Sequence, residues 1–319
     1  MPTPNSSTET IVAPFDEAAI ADAATRITAG ECVAVPTETV YGLAADATNG
    51  EAVARIYAAK DRPAFNPLIV HVGTLDAARE IAKFNAAAEE LAAHFWSGPL
   101  TLVLPLREHS PVASLVTAGL DTIALRIPAH PAMQALLMAS GKPLAAPSAN
   151  ASGQISPTRA EHVTKSLGGK VGLVIDAGPT DHGLESTIIA PSEFAVHILR
   201  PGPIGKEQIE IATGLPVTAK QSETINAPGQ LASHYAPSKP LRLNARDAQS
   251  DEWLIGFGAI AGHASLSASG NLIEAAALLF ARLHEAEASD QPKIAVAPMP
   301  STGIGAAIED RLSRAAHSG

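Results

Sequence analysis

The sequence holds one cysteine among 319 residues. That excludes an internal disulfide framework and a zinc site built on several thiolates. Cys32 lies in an apolar run and reads as a buried small hydrophobe rather than a nucleophile. Aromatic residues are only 4% of the chain. The core must therefore rest on aliphatic side chains and close backbone packing, with alanine abundant. No apolar run approaches the length of a membrane span, and no basic start followed by an apolar stretch marks a secretory leader. These absences predict a cytoplasmic protein in a reducing compartment, without membrane association.

Positive charge is scarce as well. The 22 Lys and Arg are outnumbered by 32 Asp and Glu, for a formal net charge of −10. The excess is acidic on both sides of residue 205. A surface that held RNA by bulk electrostatics would be basic. Any anion must therefore be gripped by a few placed cations, which favours a small phosphate ligand over a long nucleic acid surface and predicts weak or no direct nucleic-acid binding. No G-x-x-x-x-G-K-[ST] phosphate loop and no G-x-S-x-G nucleophile elbow occur. Gly256 to Gly262 is one residue too long for the dinucleotide fingerprint. No His, Asp or Glu cluster has metal-ligand spacing, so no protein-held metal is expected.

What is present alternates. Asp16 to Gly30 reads as a helix, with Asp16 capping it, Ile20, Ala23, Ala24 and Ile27 on one face, and Gly30 ending it. A second helix is expected over Ala52–Ala59, with others near 75–82, 86–95, 130–140 and 158–167. Strands are expected at Cys32–Pro36, Leu68–Val72, Leu100–Leu104, Ile123–Ile127, Leu144–Ala146, Leu173–Ile175, Ser186–Ala190 and His197–Leu199. Residues 1–12 read as loose. This mixture predicts an α/β domain over 12–205. Residues 206–240 read as a linker, with a short helix at Lys206–Thr213 and then a polar stretch punctuated by Pro228, Gly229, Pro237 and Pro240. Over 241–319 the pattern resumes as a small domain. Strands are expected at Leu254–Phe257 and Ile294–Ala297, and helices at Leu272–Glu287 and Ile304–Ala315.

Six stretches carry polar chemistry. Pro36-Thr-Glu-Thr39-Val-Tyr-Gly-Leu43 follows a strand, where open α/β sheets gather ligands; it is otherwise a capped turn. Lys60-Asp-Arg62-Pro-Ala-Phe-Asn66-Pro-Leu68 pairs a compact charge with a planar fork on a proline-stiffened loop, which suits an anion. The same cations also suit a helix C-terminus. His71 ends the next strand, a position more often structural than catalytic. Thr122 and Arg126 lie four apart on one strand and so share a face. A buried Arg126 needs a partner: a substrate carboxylate, Asp121 or Glu185. Ala146-Pro-Ser148-Ala-Asn150 supplies hydroxyl and amide groups among small residues, with Ser156 following. Glu185-Ser186-Thr-Ile188 precedes Leu199-Arg200-Pro-Gly202, where Arg200 can clamp phosphate or pair with an acid. Ser233-His234-Tyr235-Ala-Pro237 can form a lid or simply dock the linker.

Taken together these stretches resemble the YrdC-like threonylcarbamoyl-AMP synthase family, whose K-x-R and S-x-N pairs fit Lys60, Arg62, Ser148 and Asn150. PTETVYGL, NPLIVHV, ALRIP, APSAN, ESTII and LRPG match in order over residues 12–205. HYAP and GIGAAIEDRLSRAA are similar to the longer two-domain members. The resemblance implies a twisted, mostly open mixed α/β sheet with a large concave cavity, plus a smaller C-terminal Rossmann-like α/β domain. It implies L-threonine, bicarbonate and ATP as substrates, with Mg²⁺ carried on the phosphates. The product would be L-threonylcarbamoyl-AMP, passed to a downstream transferase that modifies adenosine 37 of ANN-decoding tRNAs. By the same resemblance, Thr39, His71, Arg126, Ser186 and the Ala146 backbone would hold threonine. Arg62, Asn66, Thr122, Ser148, Ser156, Arg200, His234 and Tyr235 would hold ATP, and Lys60 and Asn150 would complete a catalytic tetrad with Arg62 and Ser148. Two other readings stay open: a nucleotide- or RNA-binding module without turnover, and another carbamoyl-adenylate-forming enzyme. The hydrogenase-maturation relatives of that last kind carry zinc-finger and acylphosphatase-like regions, for which this chain has no room.

Overall fold

The computed structural model describes residues 9–219 and 234–317. Residues 1–8 and 220–233, among them Pro228, Gly229 and Ser233, lie outside the described residues.

Eleven strands among the described residues form one large mixed sheet. Across it they run Ile11–Pro14, Leu173–Asp176, Val33–Pro36, Tyr41–Asp46, Leu144–Ala145, Ile69–His71, Thr122–Arg126, Leu100–Pro105, Thr187–Pro191, Val196–Arg200 and Val217–Ala219. The sheet combines parallel pairs, such as Ile69–His71 with Thr122–Arg126, and antiparallel ones, such as Val33–Pro36 with Tyr41–Asp46. The sheet is open, and its two outermost strands do not pair with each other.

Helices close both faces. The helix Glu17–Thr28 begins where Asp16 accepts a hydrogen bond from the Ala19 amide, and it buries Ile20, Ala23, Ala24 and Ile27. It packs with Pro131–Ser140 over Val33, Val35 and Leu144. On the other face Gly50–Lys60 and Ala86–Phe95 cover a larger aliphatic core that includes Leu43, Ile56, Leu91 and Leu102. Alanine serves on both sides of these contacts, so helices lie close to the sheet without aromatic filling.

Three strands of this sheet escape the sequence pattern, as do Leu241–Arg242 and Ala264–Ser265 in the smaller one. Tyr41–Asp46 is buried on both faces, so it shows no polar alternation. Ile11–Pro14 is an edge strand whose Ile11 and Val12 are about half exposed. Val217–Ala219, read as linker, instead extends the sheet beside Val196–Arg200, with the helix Lys206–Thr213 crossing back between them.

The C-terminal unit has a four-stranded, all-parallel sheet in the order Leu241–Arg242, Lys293–Val296, Glu252–Gly256, Ala264–Ser265. The helices Leu272–Ala288 and Ile304–Ala316 pack on it. Their apolar faces also take in Val40, Ile155, Leu184 and Tyr235 from outside the unit, so one continuous core spans the junction.

Candidate active site

The site lies where the loops after several strands of the large sheet converge. The strands Val33–Pro36 and Tyr41–Asp46 form a hairpin whose turn holds Thr37, Glu38 and Thr39. Thr37 fixes that turn itself. Its hydroxyl donates to the Val40 carbonyl at 2.7 Å and accepts from the Thr39 and Val40 amides. The Thr39 hydroxyl is thereby held 2.8 Å from that of Thr37.

Arg126 meets this turn from the end of its strand. It donates to the Thr39 hydroxyl at 2.9 Å and the Gly98 carbonyl at 3.1 Å, and forms an ion pair with Glu38 at 2.6 Å. Glu38 is therefore its acidic partner, rather than Asp121 or Glu185. Burial alone would raise the Glu38 carboxyl, but the adjacent Arg126 overrides it and holds Glu38 down to about 2. Beside them, burial and then Arg126 push His71 down to about 3, so its ring is neutral at physiological pH. Among the described residues, His71 Nδ1 has no partner.

Lys60 sits on the last turn of the helix Gly50–Lys60, which Asp61 ends in the left-handed conformation (φ 51°). Its ammonium is fully buried and donates to the Ser148 carbonyl at 2.6 Å and to the Asn150 carbonyl. Burial, with Arg62 second, lowers it well below the usual lysine range. Arg62 donates to the Asn66 carbonyl at 3.1 Å and the Pro67 carbonyl at 2.8 Å. The proline-bounded loop is thus closed on its own arginine. Burial also lowers Arg62, to about 10, leaving it charged.

Arg200 is buried and donates to the Ser186 carbonyl at 3.0 Å and its hydroxyl at 3.1 Å. The Ser186 hydroxyl lies 2.7 Å from that of Thr101. Gly202 makes this docking feasible, because a Cβ there would lie 2.5 Å from the Thr187 amide nitrogen.

One cavity is lined by Thr39, Arg62, His71, Arg126, Ala146, Ser148, Ser186, Arg200, His234 and Tyr235, with Thr37 and Glu185 beside them. It places three arginines near several hydroxyls and a neutral imidazole. Such a mixture suits a phosphate-bearing ligand beside an amino acid.

Comparison with known proteins gives the same direction. Residues 25–202 match the Sua5/YciO/YrdC family, described as telomere recombination, and residues 204–317 match the threonylcarbamoyl-AMP synthase C-terminal domain. The Bacillus subtilis threonylcarbamoyl-AMP synthase is 39% identical, over 93% of this chain and 92% of its own. That of Pyrococcus abyssi is 47% identical over 70% of this chain and 67% of its own. The chain belongs to the Sua5/YrdC family of threonylcarbamoyl-AMP synthases. The crystal structure of P. abyssi Sua5 complexed with L-threonine superposes with a TM-score of 0.88, at 37% identity, covering 96% of this chain and 98% of that one.

Within this family frame, several expected residues stand outside the cavity wall. Lys60 and Asn150 lie behind it, the amide of Asn150 donating to the Ala151 and Gln154 carbonyls. Asn66 is fully buried, and among the described residues neither its side-chain polar atoms nor the Asn150 side-chain oxygen has a partner. Ser156 donates to Glu185 at 2.5 Å. Thr122 sits at the far end of the strand that delivers Arg126 and pairs with Pro105. It shares a strand face with Arg126, but the length of that strand separates them. His234 and Tyr235 reach the cavity because Ala236 pairs with Gln154 and Gly153. Tyr235 is about 1% exposed, its hydroxyl unpartnered among the described residues and its backbone at φ 63°.

Three structural acids and bases were not singled out for the site by sequence: Glu38, Glu185 as the partner of Ser156, and Arg311. Glu38 had a visible signal, since it stands between two site threonines. The pairing of Glu185 with Arg311 had none, because its members are 126 residues apart.

Proposed function

We propose that this protein condenses L-threonine, bicarbonate or CO₂, and ATP to L-threonylcarbamoyl-AMP with release of pyrophosphate. The observation that carries this reading is the shared cavity: Arg62, Ser148 and Arg200 open into the same space as His71, Arg126 and Ser186.

The steps follow from charge. The threonine amine attacks CO₂ to form a carbamate and loses a proton. A carbamate oxygen then attacks the α-phosphorus, the bond to the bridging oxygen breaks, and pyrophosphate leaves with its electron pair. Such a displacement needs positioning and neutralisation of growing negative charge more than a protein nucleophile. Arg62 and Arg200 meet that need at the phosphates. Arg126, held between Thr39 and Glu38, can turn one free N–H toward the threonine carboxylate. Neutral His71 presents an unpartnered nitrogen to a hydroxyl or amine.

Mg²⁺ belongs with ATP as the Mg·ATP substrate. The donor set fits this: Glu38 and Glu185 are each engaged by an arginine, and no group of three or more His, Cys, Asp or Glu gathers among the described residues. When bound, the ion screens phosphate charge. The product would pass to a tRNA threonylcarbamoyl transferase, and the function belongs to the cytoplasm.

The test is pyrophosphate release from purified protein given ATP, Mg²⁺, bicarbonate and threonine. Omitting threonine should stop it. Equal release with and without threonine would remove the substrate assignment. Arg62→Ala should weaken ATP binding by about tenfold or more, as expected for a lost charge-assisted contact. Unchanged affinity would take Arg62 out of the nucleotide site.

A further inference from the structure

The largest fully buried side chain among the described residues belongs to Arg311, on the C-terminal helix Ile304–Ala316. It does not line the cavity, yet it touches the immediate neighbours of two residues that do. Its Nε donates to Glu185 at 2.8 Å, one residue before Ser186. Its Nη2 donates to the Pro201 carbonyl at 2.9 Å, one residue after Arg200. Its guanidinium carbon lies 5.2 Å from the centre of the Tyr235 ring. Its Nη1 is turned away, to Asp310 at 2.8 Å.

Glu185 is the reason this matters. The carboxylate is buried and has two partners, Ser156 on one oxygen and Arg311 on the other. Arg200 is the next cation close enough to influence it. Arg311 therefore competes with Arg200 for Glu185 and wins. Arg200 stays on Ser186 and lines the cavity.

We propose that Arg311 is a positioning residue of the active site, supplied by the C-terminal domain: it occupies Glu185 so that Arg200 remains available to the phosphates, and it seats Tyr235 over the cavity. This rests on the synthase reading above. It gives the small domain a definite part in the chemistry. An arginine is required rather than a lysine, because only the planar fork reaches Glu185 and the Pro201 carbonyl together while covering a ring.

The test compares wild type, Arg311→Met, Arg311→Lys and the double variant Arg311→Met with Glu185→Gln. Calorimetric binding of a non-hydrolysable ATP analogue reads positioning without turnover, and threonine-dependent pyrophosphate release gives KM and kcat. Arg311→Met should weaken analogue binding and raise the KM for ATP by about tenfold or more. Arg311→Lys should raise it by about threefold or more, since Glu185 is countered but the fork is lost. The double variant should bind better than Arg311→Met, because no unpaired carboxylate is left to capture Arg200.

A folded Arg311→Met protein with analogue affinity and KM within about twofold of wild type would overturn the proposal. So would a double variant that regains melting temperature but no affinity. If Arg311→Met does not fold, Arg311→Lys decides by the same twofold limit. Failure of the synthase reading is seen separately, as pyrophosphate release by wild type that ignores threonine.

Discussion

A guanidinium taken out of water must find its counter-charge inside the protein. At Arg126 that counter-charge is Glu38, and both side chains are about 5% exposed or less. Removing one member of such a pair leaves the other buried and unpaired. Glu38→Gln or Arg126→Met should each cost about 3–5 kcal/mol in urea unfolding, while the double variant should cost clearly less than the sum. Additive losses would mean that the two groups act independently. The same pair shows what a sequence can carry at this scale. That Arg126 needed a partner followed from its place on an apolar strand. Which acid it took did not, because the hairpin turn that brings Glu38 to it is set by Thr37 and by a strand hidden among apolar neighbours.

Whole elements meet across the junction through a histidine pair. His162, on the helix Ala160–Leu167, stacks on His284 of the helix Leu272–Ala288, ring centres 3.8 Å apart. The His162 ring accepts from the Thr158 amide at 3.2 Å, and the His284 ring lies 3.1 Å from the Ser156 carbonyl. Burial first, then nearby cations, lower His162 to about 3, and burial lowers His284 to about 4. His71 and His234 are also lowered to about 3, chiefly by burial. In each case the unfolded chain takes up a proton near pH 6.5 that the folded protein refuses. Stability from these groups is therefore present above pH 6.5 and declines as pH falls toward 4, by at most about 1.4 kcal/mol per pH unit for each histidine. Glu38 has its own window: its folded value lies below the ordinary one, so its contribution is present above pH 4.5 and is lost as pH falls toward 2. The urea midpoint should accordingly be lower at pH 5 than at pH 7, and replacing His162 and His284 with Gln should flatten that difference. An unchanged slope would show that the stacked pair does not take part.

At the scale of the molecule, the two sheets are joined by close backbone contact as well as by side chains. Gly183 adopts φ 64°, and a Cβ there would lie 2.3 Å from the Ala277 carbonyl oxygen in the helix Leu272–Ala288. Gly183→Ala would push that helix away from the segment leading to Glu185. It should lower stability by about 2 kcal/mol or more and weaken ATP-analogue binding in parallel, measured by thermal unfolding and calorimetry. Loss of stability with full affinity would separate the junction from the site.

What the sequence determined by itself was local. Asp16 and Gly30 bound a helix, two prolines stiffen the Arg62 loop, and apolar runs mark most central strands. The spaced pairs at Lys60 and Arg62, and at Ser148 and Asn150, were readable because each lies within a few residues of chain. The edge strand Ile11–Pro14 and the added strand Val217–Ala219 were not readable, since an edge strand buries too little surface to leave a pattern. Tertiary structure alone decided that Glu38 neutralises Arg126, and that Arg311 crosses 126 residues of sequence to hold Glu185. Ion pairing depends on distance through space in a low-dielectric interior, and that distance is fixed only when strands and helices far apart in the chain have packed.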